Sequence, residues 1–243
     1  MNRYKLFIRP QVNKFVLFLV ARVGSTYLTS LMKSHPHILA LGEELVDLEK
    51  EGAQAQLGWS DKFLTPPLVG RYKVRGFNVK LVHLCDRDRF TRLLNEKECK
   101  IIHLQRRNRV KAVISSLNGE RLYEKTGMWG LFDESNRLPP MQVELEKFDN
   151  YLKHREKMDL EMEAHVKSIG RPLLSLYYED LLADRNAFLS GLYRFLEVEP
   201  FPVEGETLKI TSDDLREVVL NFDELRGRYA GTQYEPMFEE VVA

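Results

Sequence analysis

A chain of 243 residues with 44% hydrophobic content can bury a substantial core and still be one α/β domain, which predicts a single domain over residues 1–243. Lysine plus arginine equals aspartate plus glutamate at 36 each, so global charge gives no reason to expect nucleic acid or an anionic membrane as partner, and any basic site has to be local. The two cysteines, Cys85 and Cys99, are too few for a disulfide framework or a C-x-x-C metal or redox site, which fits a reducing, cytoplasmic setting.

The first apolar run, Phe15 to Ala21, is about seven residues long against the roughly 20 needed to span a bilayer. It reads as a strand covered on both faces, as in a parallel sheet. Arg3, Lys5, Arg9 and Lys14 precede it, but Arg22 follows without an Ala-x-Ala type cleavage site, so export is not expected. Arg22-Val23-Gly24-Ser25-Thr26 interrupts the run, and from Tyr27 the residues Leu28, Leu31 and Met32 recur at helical spacing until Ser34-His35-Pro36 stops them. Gly42-Glu43-Glu44 reads as a loop. Residues 45–70 read as helix plus an irregular stretch ending at Thr65-Pro66-Pro67, and Arg75 to Leu84 as a second strand.

Lys100 to Leu104 is a third strand, bounded by Gln105-Arg106-Arg107-Asn108, after which Val110, Val113, Ile114 and Leu117 return to helical period. Residues 118–142, with glycine, proline and aromatic residues, read as an excursion that covers a site. Glu144 to Val166 predicts an amphipathic helix whose charged run to Lys157 is a solvated face, and Pro172 to Tyr178 a fourth strand. Leu181 to Leu196 and Asp213 to Leu225 predict further helices, and Gly227 to Met237 a loop or tail. The alternation predicts an α/β fold, a P-loop-like three-layer sandwich with a central parallel sheet and helices on both faces.

Arg22 to Thr26 places small residues, hydroxyls and one cation between a strand and a helix N-terminus. Unpaired backbone N–H groups and the positive end of the helix dipole favour an anion there, and Gly24 lets the backbone come close. The Walker pattern G-x-x-x-x-G-K-[ST] is absent, which disfavours an ordinary nucleotide triphosphatase or kinase. The cation instead precedes the glycine, and Arg22-Val23-Gly24-Ser25-Thr26-Tyr27 resembles the 5′-phosphosulfate loop of the sulfotransferase family. Ile101 to Asn108 followed by Ser115 resembles that family's 3′-phosphate motif, an arginine at a strand end with a serine eight residues later. Arg107 and Ser115 carry it, with Arg106 and Ser116 as alternatives.

Three softer likenesses accompany these two. Arg75 to Leu81 resembles a family strand that often reads Gly-Phe-Lys-Leu, with Lys80 offset by one residue and left without a role. Leu176 to Leu181 resembles the recurring Tyr-Glu-Asp-Leu segment, and Phe222 to Tyr234 the family tail. Together they span residues 15 to 235 and are closest to bacterial carbohydrate-type enzymes, the trehalose sulfotransferase-like group included.

The resemblance implies 3′-phosphoadenosine 5′-phosphosulfate as sulfuryl donor and a carbohydrate or small-molecule hydroxyl as acceptor. It implies Arg22 and the loop amides at the leaving phosphate, Tyr27 against the adenine or packed beneath it, and no resident metal. Glu43 is the candidate base, Glu44 its rival, and His83 and His103 come next, although both sit in apolar runs that suit core residues better. His35 and His37 flank Pro36 without a third ligand and read as a turn. Two other readings stay open, a phosphotransferase with a non-Walker loop and a non-catalytic nucleotide-binding or scaffold protein of the same fold. The acceptor pocket falls to residues 50–70 and 118–142, whose sequence does not identify the acceptor, and oligomeric state is undetermined.

Overall fold

The computed structural model describes residues 12–67, 70–131, 133–205 and 211–240. Arg3, Lys5 and Arg9, together with Leu68, Val69 and Phe132 of the stretches assigned to the acceptor pocket, lie outside the described residues. Five strands form one sheet, β1 (Asn13–Leu19), β2 (Ile38–Leu41), β3 (Val74–Val79), β4 (Lys100–Gln105) and β5 (Leu173–Tyr177), in the order β2-β3-β1-β4-β5. All four pairings are parallel.

The central strand shows why the first apolar run is unbroken. Phe15, Leu17 and Leu19 face a core built with α1 (Ser25–Ser34) and the later helices α6 (Tyr178–Ala183) and α7 (Arg185–Leu196). Val16, Phe18 and Val20 face the opposite core, built with α2 (Ala53–Leu64), α3 (Arg87–Glu96) and α5 (Leu145–Ser168). Phe15 to Leu19 are 0% exposed, and each fully buried side chain of this size contributes about 1.5–3 kcal/mol. A third cluster joins α4 (Arg109–Thr126) and α5 to the C-terminal α8 (Phe222–Arg228) and α9 (Glu235–Glu239).

The differences from the sequence reading have identifiable causes. β2 falls between the predicted helix and the Gly42-Glu43-Glu44 loop, in a stretch left unassigned; four residues carry too little alternation to announce a strand, and the pairing of Ile38–Leu41 with Val74–Phe77 supplies what the pattern lacks. The strand expected to reach Leu84 ends at Val79 and gives way to a 3-10 turn at Leu81–His83. α3 falls in a stretch left unassigned, although its signals are present: Asp86 caps Arg89 N–H, and Phe90, Leu93 and Leu94 are buried on one face. α4 runs on to Thr126, nine residues into the expected excursion, and stops where Gly127 adopts φ 72° and its N–H bonds Tyr123 O. The expected helix over Leu181–Leu196 is two, divided at Asp184, whose carboxylate caps Ala187 N–H.

Among the described residues no helix is long and apolar enough to cross a membrane. His35 is a satisfied core residue: its Nδ1 accepts His37 N–H and its Nε2 donates to Glu199 O. His103, in β4, is 2% exposed, and burial pushes its imidazole down to about 4 against the weaker upward pull of Glu163 and Asp159. The unfolded imidazole titrates near 6.5, so the folded state binds fewer protons between those two values. Stability is therefore complete above pH ~6.5 and is lost as pH falls towards ~4. The urea-unfolding free energy should drop by about 2–3 kcal/mol across that window, and His103→Gln should flatten the decline.

Candidate active site

The order β2-β3-β1-β4-β5 sends the chain from β1 to one side of the sheet and then back across it to β4. The switch point is thus the gap between the carboxyl ends of β1 and β4, where open α/β sheets hold their ligands. The loop after β1 and Arg106-Arg107 after β4 flank that gap.

The β1–α1 loop turns through two left-handed residues, Arg22 at φ 66° and Gly24 at φ 77°. For a non-glycine residue such as Arg22 that conformation costs about 1–2 kcal/mol, so the surroundings have to hold it. They do so through the carbonyls. Arg155 of α5 donates to Ala21 O at 2.6 Å, and Arg106 donates to Arg22 O at 3.2 Å. Gly24 is required a second time because a Cβ there would lie 2.2 Å from the Tyr178 ring.

No side chain caps α1, and its first intrahelical bond runs from Leu28 N–H to Gly24 O. The amides of Ser25, Thr26 and Tyr27 come before that bond, which leaves the helix N-terminus open to an anion. Thr26 is exposed, whereas Tyr27 is half-buried against the α1–α7 core and lies beside Gly205.

The Arg22 side chain turns towards α4. Its Nε donates to the carbonyl and hydroxyl oxygens of Ser115, both at 3.2 Å, and its Nη1 to Trp129 O at 3.1 Å. Its Nη2 is buried without a hydrogen-bond partner. Burial, then Arg106, lowers the guanidinium to about 10 while Glu43 pulls it up, so it stays cationic at neutral pH. Gly119 provides the room, since a Cβ at that position would sit 2.7 Å from Arg22 Nη2.

Glu43 and Lys80 follow the ends of the adjacent strands β2 and β3, and their side chains meet at 2.5 Å. Asn78 holds this corner together, its N–H donating to Gly42 O and its side-chain amide to Thr29 Oγ1 of α1. Glu44 lies in the following turn, and Lys80 is engaged by Glu43. His83 pairs through Nδ1 with Glu49 at 2.9 Å.

Arg107 stands apart from Ser115. Half-exposed, it donates both Nη groups to Asp180 at 2.6 and 2.8 Å and lies 4.0 Å over the Tyr177 ring, while Ser115 is bonded to Arg22. The Asp180 contact holds Arg107 above the ordinary arginine range. The buried Glu179 carboxylate accepts the N–H groups of Arg107 and Asn108 at 3.0 and 3.1 Å and lies 4.0 Å from Arg106 Nε. Ser116 donates to Ala112 O of its own helix. An opening of about 300 Å³ flanks this side, lined by Arg106, Arg107, Arg109, Asp159 and Tyr177 among others.

Sequence reasoning missed Arg155, Gly119 and the work of Glu179. Arg155 sits within the run read as a solvated face and is 6% exposed. A lone glycine inside the helical pattern of α4 was the available signal for a close approach.

These features define an α/β protein with an uncapped helix N-terminus and a cationic loop at the switch point of its sheet. No family model matches the chain. It is 27% identical over 244 residues to nodulation protein H of Rhizobium tropici, covering 95% of this chain and 94% of that one. Its fold matches a sulfotransferase from Alicyclobacillus acidocaldarius with a TM-score of 0.52 and 16% identity, over 96% and 97% of the two chains. Mouse sulfotransferase SULT7A1, complexed with PAP, matches with a TM-score of 0.47 and 15% identity over 78% of this chain, which spans 61% of that one. The chain is thus similar over nearly its whole length to nodulation protein H and shares its fold with the Alicyclobacillus sulfotransferase.

Replacing Glu179 with Gln leaves a buried guanidinium without its counter-charge and turns an amide towards a backbone N–H. Glu179→Gln should lower the urea-unfolding free energy by about 2–4 kcal/mol. An equivalent change at the exposed Asp180 should cost under about 1 kcal/mol.

Proposed function

We propose that this chain transfers a sulfuryl group from 3′-phosphoadenosine 5′-phosphosulfate to a hydroxyl of a carbohydrate or small metabolite. The observation that carries the reading is the buried Arg22 guanidinium, with one nitrogen unpartnered, beside the uncapped N-terminus of α1. A cation with an unpartnered nitrogen, carried by the loop that leads into three amides without intrahelical partners, calls for an anion, and the absence of a Walker lysine points away from nucleoside triphosphates.

The donor brings an activated sulfuryl group with a phosphate as its leaving group. Arg22 and the amides of Val23 to Tyr27 hold that phosphate and neutralise the charge it gains as the bridging S–O bond breaks. Glu43 takes the proton of the acceptor hydroxyl as its oxygen bonds sulfur, and Lys80 fixes the Glu43 carboxylate. Coupling of Glu43 to Arg22 favours it over Glu44.

The 3′-phosphate falls to Arg107 and to Ser115, whose hydroxyl has to be released from Arg22 to meet it. To bind it, Arg107 exchanges its half-exposed pair with Asp180, worth under about 1 kcal/mol, for a charge-assisted phosphate contact. Arg106, already committed to Arg22 O and near Glu179, suits the role less well.

Incubation with ³⁵S-labelled donor and a metabolite extract should label a hydroxyl compound with magnesium chelated. Glu43→Gln should lower kcat about 10²–10⁴-fold with donor binding retained. Arg22→Ala should lose affinity for adenosine 3′,5′-bisphosphate. No ³⁵S transfer but magnesium-dependent transfer of ³²P from ATP points to phosphotransfer chemistry, and binding without turnover to a silent scaffold; if Glu43→Gln and Glu44→Gln both leave transfer intact, the base lies elsewhere.

Gly119→Ala separates stability from binding. It removes a helix glycine, a gain of up to about 1 kcal/mol, yet crowds Arg22. Its Tm should stay level or rise while affinity for adenosine 3′,5′-bisphosphate, measured by calorimetry, falls.

A further inference from the structure

An exposed aromatic pair adjoins the Arg22 loop. Trp129 is 55% exposed and Tyr123 45%, and their rings stack with centroids 4.7 Å apart and planes 19° apart. Two such rings left in water cost solvation free energy, and an exposed apolar patch beside a site marks a ligand surface.

The backbone builds this pair deliberately. Gly127, in the left-handed region, closes α4 and turns the chain back, so that Trp129 returns over Tyr123. Thr126 Oγ1 accepts Met128 N–H inside the turn, and Arg121 ties the returning segment by donating to Pro139 O. The platform is also registered to the anion cradle. Ser115, Gly119 and Tyr123 recur every four residues on one face of α4, the first bonding Arg22, the second making room for it, the third starting the platform. Four residues of helix, about 6 Å of rise, separate Gly119 from Tyr123, close to the width of one sugar ring. Trp129 closes the link from the other side, because its carbonyl accepts from Arg22 Nη1.

We infer that Trp129, stacked on Tyr123, is the acceptor platform of the sulfuryl-transfer site proposed above and seats a pyranose ring of a carbohydrate, so the inference rests on that reading. The C–H face of a sugar lies against the negative face of the indole, and its rim hydroxyls stay in water while one reaches the Arg22 loop. A phenol or sterol calls instead for an enclosed apolar pocket. The apolar cavity of about 310 Å³, lined by Val12, Leu39, Pro67 and Tyr72 among others, sits at the amino ends of β1 and β3, at the far edge of the sheet from Arg22.

The test uses the whole chain and a panel of neutral and N-acetylated tetrasaccharides, with p-nitrophenol as the phenolic probe. Calorimetry measures each against wild type, Trp129→Ala and Trp129→Phe, with and without saturating adenosine 3′,5′-bisphosphate. Ring removal leaves the Trp129 carbonyl on Arg22, so nucleotide affinity should change less than twofold. At least one tetrasaccharide should bind wild type, bind Trp129→Ala about tenfold or more weakly, and be largely restored by Trp129→Phe. Equal binding to Trp129→Ala, no tetrasaccharide binding at all, or binding of p-nitrophenol alone overturns the platform. Failure of adenosine 3′,5′-bisphosphate to bind sinks the donor reading instead, and the tetrasaccharide series without nucleotide still decides the platform.

Discussion

Three arginines, Arg155 buried and Arg22 and Arg106 half-buried, meet at the loop between β1 and α1, and the cost of drawing their charges out of water is the constraint around which this end of the molecule is arranged. Arg22, Arg106 and Arg155 are each lowered by burial, Arg22 further by Arg106, and Arg155 further by Arg106 and Arg109. Each keeps one guanidinium nitrogen buried without a hydrogen-bond partner. Leaving such groups unsatisfied costs about 1–3 kcal/mol apiece. The carboxylates that accompany them, Glu179 near Arg106 and Asp159 on Arg155, hold their arginines from behind the loop. What remains unmet is an appetite for negative charge at the switch point of the sheet.

The same arginines explain the backbone. By taking the carbonyls of Ala21 and Arg22, Arg155 and Arg106 hold the loop in the left-handed turn that brings Arg22 round to α4. Tyr178 packs over Gly24 and lies 5.3 Å under Arg106, so the segment after β5 closes the loop from the far side. Four of the five strands thus send a residue to one place: Arg22 after β1, Glu43 after β2, Lys80 after β3 and Arg106 after β4. Parallel strands make this possible, because all their carboxyl ends lie along one edge.

α4 couples the two halves of the proposed reaction. Its first turn is capped by Asn108 next to the β4 arginines, its middle receives Arg22, and its last turn carries Tyr123.

Periodicity and composition determined a good deal of this protein by themselves. Phe15 to Ala21 declares a two-faced parallel strand because every side chain in it is apolar, and Arg22 to Thr26 declares an anion loop because glycine and hydroxyls there stand between strand and helix. What the sequence by itself could not decide was partnership. β2 is a strand because β3 offers it hydrogen bonds, Arg155 is buried because α5 crosses the end of β1, and Ser115 faces Arg22 while Arg107 turns to Asp180. Local pattern records which way a residue faces along its own element. Which charge it meets is set by the crossing of elements far apart in the chain, and that is a property of the tertiary structure alone.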